Sequence, residues 1–154
     1  IHYEDSKTLI FSNIISEKEK ESLYQTKFCP CQFQNYIQKL YELRITFVGG
    51  NFYTIKILSQ SNEESIYDWR NGIGSNLEYE IMEIPKIIET KLLMLMEKLN
   101  LRYGAIDMIV SPQHEYFFLE INPHGAWGWL EEKTGISISQ GFADYIYSTI
   151  SINT

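Results

Sequence analysis

Two adjacent glycines restrict the fold of this chain more than any other feature of its sequence. Gly49-Gly50 separate two runs rich in β-branched and aromatic residues, Tyr41–Val48 and Asn51–Ser59. A two-residue link cannot carry a crossover, and both glycines tolerate positive φ, so the spacing predicts an antiparallel hairpin. Ala105–Val110 and Tyr116–Ile121 form a second pair of strand-like runs, joined by Ser111-Pro112-Gln113-His114-Glu115, again a hairpin. Between the hairpins Ile84, Ile87, Ile88, Leu92, Leu95 and Leu99 recur every three or four residues. They predict an amphipathic helix from Pro85 to about Asn100, with the stripe in the core. Ile138, Phe142, Tyr145, Ile146 and Thr149 predict a closing helix. The expected class is α+β with a mainly antiparallel sheet.

The remaining segments carry weaker signals. Thr8–Ile15 reads as a strand, and Ser16 with Glu19 as a capping box opening a helix to about Tyr24. Cys31–Ile37 reads as a connecting strand or extended hinge; 60–76 and 123–135 read as loops. At 154 residues and 44% hydrophobic content, one compact core is expected. No apolar run reaches membrane-spanning length and the first residues lack a signal-peptide pattern, so a cytoplasmic location with no membrane partner is expected. The net charge of −7 comes with scattered lysines and arginines, which argues against nucleic acid and requires any bound anion to be gripped locally. Cys29 and Cys31 lack the second ligand pair of a zinc site and read as reduced thiols.

With the second turn centred between Gln113 and His114, Asp107 falls directly across from Glu120, and Asn122 shares the face of Glu120. Two opposed carboxylates repel, so a shared proton, a cation or exposure to water must compensate. A divalent metal compensates best, and the oxygen-only set of Asp107, Glu120 and Asn122 suits Mg2+ or Mn2+. Plain exposure, or a register slip that puts the two acids on opposite faces, is the alternative reading.

Gly104-Ala105-Ile106-Asp107-Met108-Ile109 followed by Phe118-Leu119-Glu120-Ile121-Asn122-Pro123 resembles the metal-binding end of the ATP-grasp ligases, an Asp and then an E-x-N. The resemblance implies ATP with Mg2+ or Mn2+ held by Asp107, Glu120 and Asn122. Pro30–Ile37 resembles the family's hinge, which implies contacts to the nucleotide from Gln34, Tyr36 and Ile37. Glu42-Leu43-Arg44 resembles the element that sends an arginine to the phosphates, a task that suits the guanidinium fork. Lys39, Glu42 and Leu119 join that expected nucleotide site, with Lys56 a weaker candidate. Asp68-Trp69-Arg70 and the ending Glu120–Glu131 resemble the microviridin-type, or graspetide, maturases of ribosomally made peptides. In that branch Arg70 would hold the acidic side chain to be activated, Asp68 would orient it, and Trp127 would wall the peptide site.

The implied reaction is ATP-dependent activation of a side-chain carboxylate as an acyl phosphate, followed by ester or amide crosslinking within an acidic precursor peptide, with Arg44 and Arg70 as catalytic residues. A homo-oligomer is compatible with the sequence. An amino-acid ligase of the ribosomal-protein glutamate ligase type, or a non-catalytic peptide-binding module of the same fold, is the alternative. Residues 1–35 would be the end of a lid subdomain and the hinge, and residues 36–154 the metal- and ATP-binding subdomain. The upstream domain and the lid strand that supplies a phosphate-binding lysine would precede Ile1, so the chain alone is expected to bind nucleotide weakly and ligate nothing.

Overall fold

The computed structural model describes residues 12–28, 30–72 and 76–151. Five strands form one antiparallel sheet in the order β3-β2-β1-β4-β5: β1 (Tyr41–Val48), β2 (Asn51–Ile57), β3 (Tyr79–Ile81), β4 (Tyr103–Val110) and β5 (Tyr116–Asn122). The class and both hairpins are as the sequence predicts. Gly49 and Gly50 adopt φ of 55° and 106°, the turn conformation that only glycine takes without strain.

β1 and β4 pair at the centre of the sheet, and from Glu42 and Gly104 onward every residue of both strands is buried. One face packs Leu43, Ile45, Phe47, Ile106, Met108 and Val110 against Ile84 and against Leu92 and Met96 of helix α2 (Lys86–Lys98). The opposite face meets helices α3 (Gly128–Thr134) and α4 (Ile138–Ser151) through Val48, Ile55, Ile57, Trp69, Leu130 and Ile138. Side chains alternate along a strand, so Glu42, Arg44 and Thr46 of β1 share this second face with Asp107 of β4. Each fully buried aliphatic contributes roughly 1.5–3 kcal/mol, which holds the two central strands rigidly enough to carry buried charge between them.

Several local expectations need correction. The predicted strand Thr8–Ile15 lies partly outside the described residues, and 12–15 form no strand. The capping box at Ser16 is present, with Ser16 N–H donating to Glu19 Oε2 at 2.7 Å, yet the α-helix it opens, α1, covers only Glu17–Lys20 before a 3₁₀ stretch at Leu23–Phe28. Neither segment buries a residue, so no packing extends the helix beyond its cap. Cys29 lies outside the described residues, and Cys31–Ile37 is irregular, without strand pairing. Residues 123–135 are not all loop: α3 occupies Gly128–Thr134, anchored by buried Leu130 and ended by Gly135 at φ 72°. β3, paired with the edge of β2, lies beyond the predicted loop and was not anticipated.

Candidate functional site

Asp107 and Glu120 are Cα partners across β4 and β5, as the turn position predicts. The route to that register differs from the prediction. Below the site Met108 faces Phe118 and Val110 faces Tyr116, so Leu119 is an extra residue in a β-bulge that brings Glu120 opposite Asp107. Ala105 then faces Asn122, which puts Asp107, Glu120 and Asn122 on the face that carries Glu42 and Arg44.

Asp107, with 8% of its side chain exposed, is gripped from two sides. Arg44 Nη1 donates to Oδ1 at 2.9 Å, and Arg70 Nη2 donates to Oδ2 at 2.8 Å. Arg44 is also only 8% exposed; its Nη2 donates to the Ala126 carbonyl at 3.3 Å, while its Nε is buried without a hydrogen-bond partner among the described residues. Gly125 presses on this arginine: a Cβ there would overlap Ala105 Cβ and lie 2.9 Å from Arg44 Nη2. The Tyr103 hydroxyl donates to the Gly125 carbonyl and fixes that loop.

Arg70 reaches the cluster from a 3₁₀ turn, Trp69–Gly72. Asp68 Oδ1 accepts from the Arg70 backbone N–H at 3.0 Å and lies 3.4 Å from Nη1, so Asp68 orients both the turn and its guanidinium. The guanidinium also lies over the Trp69 ring at 5.0 Å, and Trp69 stacks on Trp129 at 5.2 Å. Partial burial opposes the Arg70 charge, but Asp107 and Asp68 outweigh it and raise its pKa above the usual value. Glu120 is 60% exposed, with Oε1 3.6 Å from Arg70 Nη2.

Lys39 and Glu42 form a second buried pair, Nζ to Oε1 at 2.6 Å, and Lys39 also donates to the Tyr67 carbonyl at 3.1 Å. Lys39 thereby ties the segment leading to Asp68 onto the sheet. Burial raises the Glu42 pKa against the lowering pull of Lys39.

The other expected residues are more dispersed. Gln34 is exposed, Ile37 is half-buried, and Tyr36 is 53% exposed with its ring edge-on to Tyr67. Leu119 sits at the bulge. Trp127 packs on Phe142 of α4 at 5.1 Å. Lys56 belongs on the other side of the sheet, paired with Glu80 at 2.8 Å and lying over Tyr41, and so takes no part in the cluster. Sequence reasoning missed Thr46 and Tyr103 as neighbours of Arg44 and Trp69 as the platform beneath Arg70. Thr46 was readable from its place two residues after Arg44 on the same face.

Arg70 and Glu120 form the exposed side of the cluster, while Arg44 and Asp107 lie beneath them. A cavity of about 380 Å³ borders it through Asp68, whereas one of about 410 Å³ lies near the Gly49-Gly50 turn, away from these charges. No group of three or more His, Cys, Asp or Glu side chains able to hold a metal occurs among the described residues. The oxygen donors nevertheless fit a hard divalent ion: Asp107 and Glu120 face each other, and Asn122 Oδ1, which accepts from His124 N–H at 2.8 Å, keeps a second lone pair. The charge balance points the same way. Lys39, Arg44 and Arg70 stand against Glu42, Asp68, Asp107 and Glu120, leaving no surplus positive charge to attract a polyphosphate.

The chain matches no protein-family model and no curated protein, but it does match solved structures. A Chryseobacterium gregarium RiPP-associated ATP-grasp ligase, in complex with ADP and a leader and core peptide, matches at 41% identity and a TM-score of 0.87, over 96% of this chain and 45% of that one. The chain carries the fold of the RiPP-associated ATP-grasp ligases. The macrocyclase MdnC from Microcystis aeruginosa MRC, bound with precursor peptide MdnA, matches at 40% identity and a TM-score of 0.79, over 96% of this chain and 46% of that one. MdnB from the same organism matches at 28% identity and a TM-score of 0.60, over 89% of this chain and 46% of that one. The chain therefore spans a little under half the length of the relatives it matches. No helix among its described residues is long and apolar enough to cross a membrane.

Proposed function

We propose that this chain is the nucleotide- and metal-binding part of a cytoplasmic ATP-dependent ligase that crosslinks acidic side chains of a ribosomally made precursor peptide. The observation that carries this reading is the buried Arg44–Asp107 pair, joined by half-exposed Arg70 beside Glu120, on one face of an ATP-grasp-like sheet. Relatives bound to ADP or to peptides support its two halves, nucleotide and peptide.

Asp107, Glu120 and Asn122 would hold Mg2+, which supplies the positive charge that the cluster lacks for a polyphosphate. Arg44 is fixed by Asp107 and the Ala126 carbonyl, a rigid positive charge on the face where the phosphates would lie. Lys39 with Glu42 fixes the near end of the sheet, below the hinge residues Gln34, Tyr36 and Ile37 that would meet the nucleotide together with Leu119. Arg70, aimed by Asp68, would hold the peptide carboxylate through two parallel hydrogen bonds. Trp127 would border the peptide.

In the reaction a carboxylate oxygen bonds to the γ-phosphorus as the β,γ-bridging P–O bond breaks, giving an acyl phosphate and ADP. A hydroxyl or amine of the peptide then attacks the acyl carbon. Phosphate leaves, one proton is lost, and an ester or amide remains. The chain's share of this work is positioning and charge neutralisation, which needs no nucleophilic side chain.

Calorimetric titration of ADP, with and without Mg2+, tests the reading. Mg2+-dependent binding is expected for the wild type and its loss for an Asp107→Asn, Glu120→Gln double variant. Equal binding by both proteins would remove the proposed site.

A further inference from the structure

Between the opposed carboxylates lies a cation that already belongs to the chain. Arg70 Nη2 is 2.8 Å from Asp107 Oδ2 and 3.6 Å from Glu120 Oε1. A divalent ion bridging these two carboxylates would use the same oxygens, so this nitrogen stands in for the metal. The two arginines on Asp107 differ in their freedom to leave. Arg44 is 8% exposed on a central strand; Arg70 is 41% exposed on a short 3₁₀ turn.

We propose that Arg70 is a displaceable counter-cation: a divalent metal ion takes Asp107 Oδ2 and Glu120 Oε1 from it, and the released guanidinium then receives the substrate carboxylate. The inference rests on the metal and carboxylate roles proposed above and adds their coupling. One guanidinium cannot direct the same N–H groups at Asp107 and at a peptide carboxylate. Nor can it shed its charge to make room for the metal, because an arginine stays protonated, so it must move. Its release also costs little at the other contacts. Asp68 and the Trp69 ring remain beside it as a cradle that keeps the side chain near the site. Metal therefore precedes peptide, and by reciprocity a bound carboxylate on Arg70 tightens the metal.

The test is a titration of Mn2+ alone, read by the electron paramagnetic resonance of the free ion, into the wild type and into Arg70→Gln, Arg70→Lys and Asp107→Asn. Removing a competing cation has the opposite sign to removing a structural support. Arg70→Gln is expected to bind Mn2+ about tenfold more tightly than the wild type, within the usual range of coupling between sites. Arg70→Lys, which keeps the charge, is expected to stay near the wild type, and Asp107→Asn to lose the site. Unchanged or weaker Mn2+ binding by Arg70→Gln overturns the coupling while leaving the metal site standing. No Mn2+ bound by either the wild type or Arg70→Gln overturns the metal reading together with the coupling. A measurement on the wild type itself guards against a variant that does not fold. With 15N-labelled arginine, Mg2+ is expected to shift the side-chain signal of one arginine, Arg70, far more than that of buried Arg44. Absence of any arginine shift at saturating Mg2+ overturns the proposal.

Discussion

Asp107 serves two arginines while Arg44 has one carboxylate, so breaking their buried pair from its two ends has unequal consequences. Asp107→Ala leaves Arg44, 8% exposed, with one acceptor among the described residues, the Ala126 carbonyl at 3.3 Å, and with an Nε that has no partner among them. A buried charge stripped of its counter-ion typically costs about 3–5 kcal/mol. Arg70, 41% exposed, can turn to water or to Glu120 and adds only about 0–1 kcal/mol. Arg44→Met, in contrast, leaves Asp107 held by Arg70 at 2.8 Å, so the loss is roughly that of one hydrogen bond to a charged group, about 1.5–3 kcal/mol. For a domain of this size Asp107→Ala is then expected to lower Tm by about 6–20 °C. The double variant, which removes the orphaned charge along with its partner, is expected to be more stable than Asp107→Ala alone. Urea unfolding followed by tryptophan fluorescence, with m-values compared to confirm a common unfolded state, measures all three. The reasoning fails if Asp107→Ala costs no more than Arg44→Met, since the ranking follows directly from which ion is left buried and alone.

Three further outcomes follow from the same geometry. Gly125→Ala would put a methyl group against Ala105 and Arg44, so a loss of about 1–3 kcal/mol is expected, together with weaker Mg2+-dependent ADP binding; calorimetry unchanged from the wild type would separate Arg44 from the nucleotide. Glu42 has a raised pKa in the folded state, so its contribution to stability is fully present below the unfolded value of 4.5 and is lost as pH rises through the folded value. The stability of the wild type relative to Glu42→Gln is accordingly expected to fall across that window, and a flat difference from pH 4 to 7 would count against the burial argument. Trp129→Ala removes the half-buried ring stacked on Trp69 and is expected to cost about 1–3 kcal/mol and to speed amide exchange at Trp69–Gly72, an effect visible by mass spectrometry; unchanged protection would show that the turn carrying Arg70 does not depend on the stack.

How much of this was legible in the sequence depends on whether the deciding interaction is local. Gly49-Gly50 and the two hairpins are patterns within one or two turns of chain, and the structure follows them; the stripe from Ile84 to Leu99 gives the helix, but Ile87 and Leu99 are exposed and Met96 is buried instead, because the sheet covers a narrower face than the stripe. α3 was hidden because Gly128 and two tryptophans resemble loop composition, while the residue that decides for a helix, Leu130, does so by burial against the distant sheet. β3 was hidden for a similar reason. Three residues, Tyr79–Ile81, carry almost no periodic signal, and their pairing to β2 crosses a loop.

The site shows the same division more sharply. The facing of Asp107 and Glu120 was predicted from the turn, yet the turn alone sets a register one residue out, and the bulge at Leu119 restores it. Strand spacing could not reveal that bulge, whereas the E-x-N motif, a pattern tied to a function, located Glu120 regardless. Repulsion between the two acids calls for a proton, a metal or water, but the compensating charge within the chain is Arg70, thirty-seven residues away in sequence. Opposed carboxylates on a sheet thus demand a cation without saying which one. In this fold the demand is met by a side chain exposed enough to leave, and that exposure, which no strand or helix pattern encodes, is what makes exchange for a metal ion physically open.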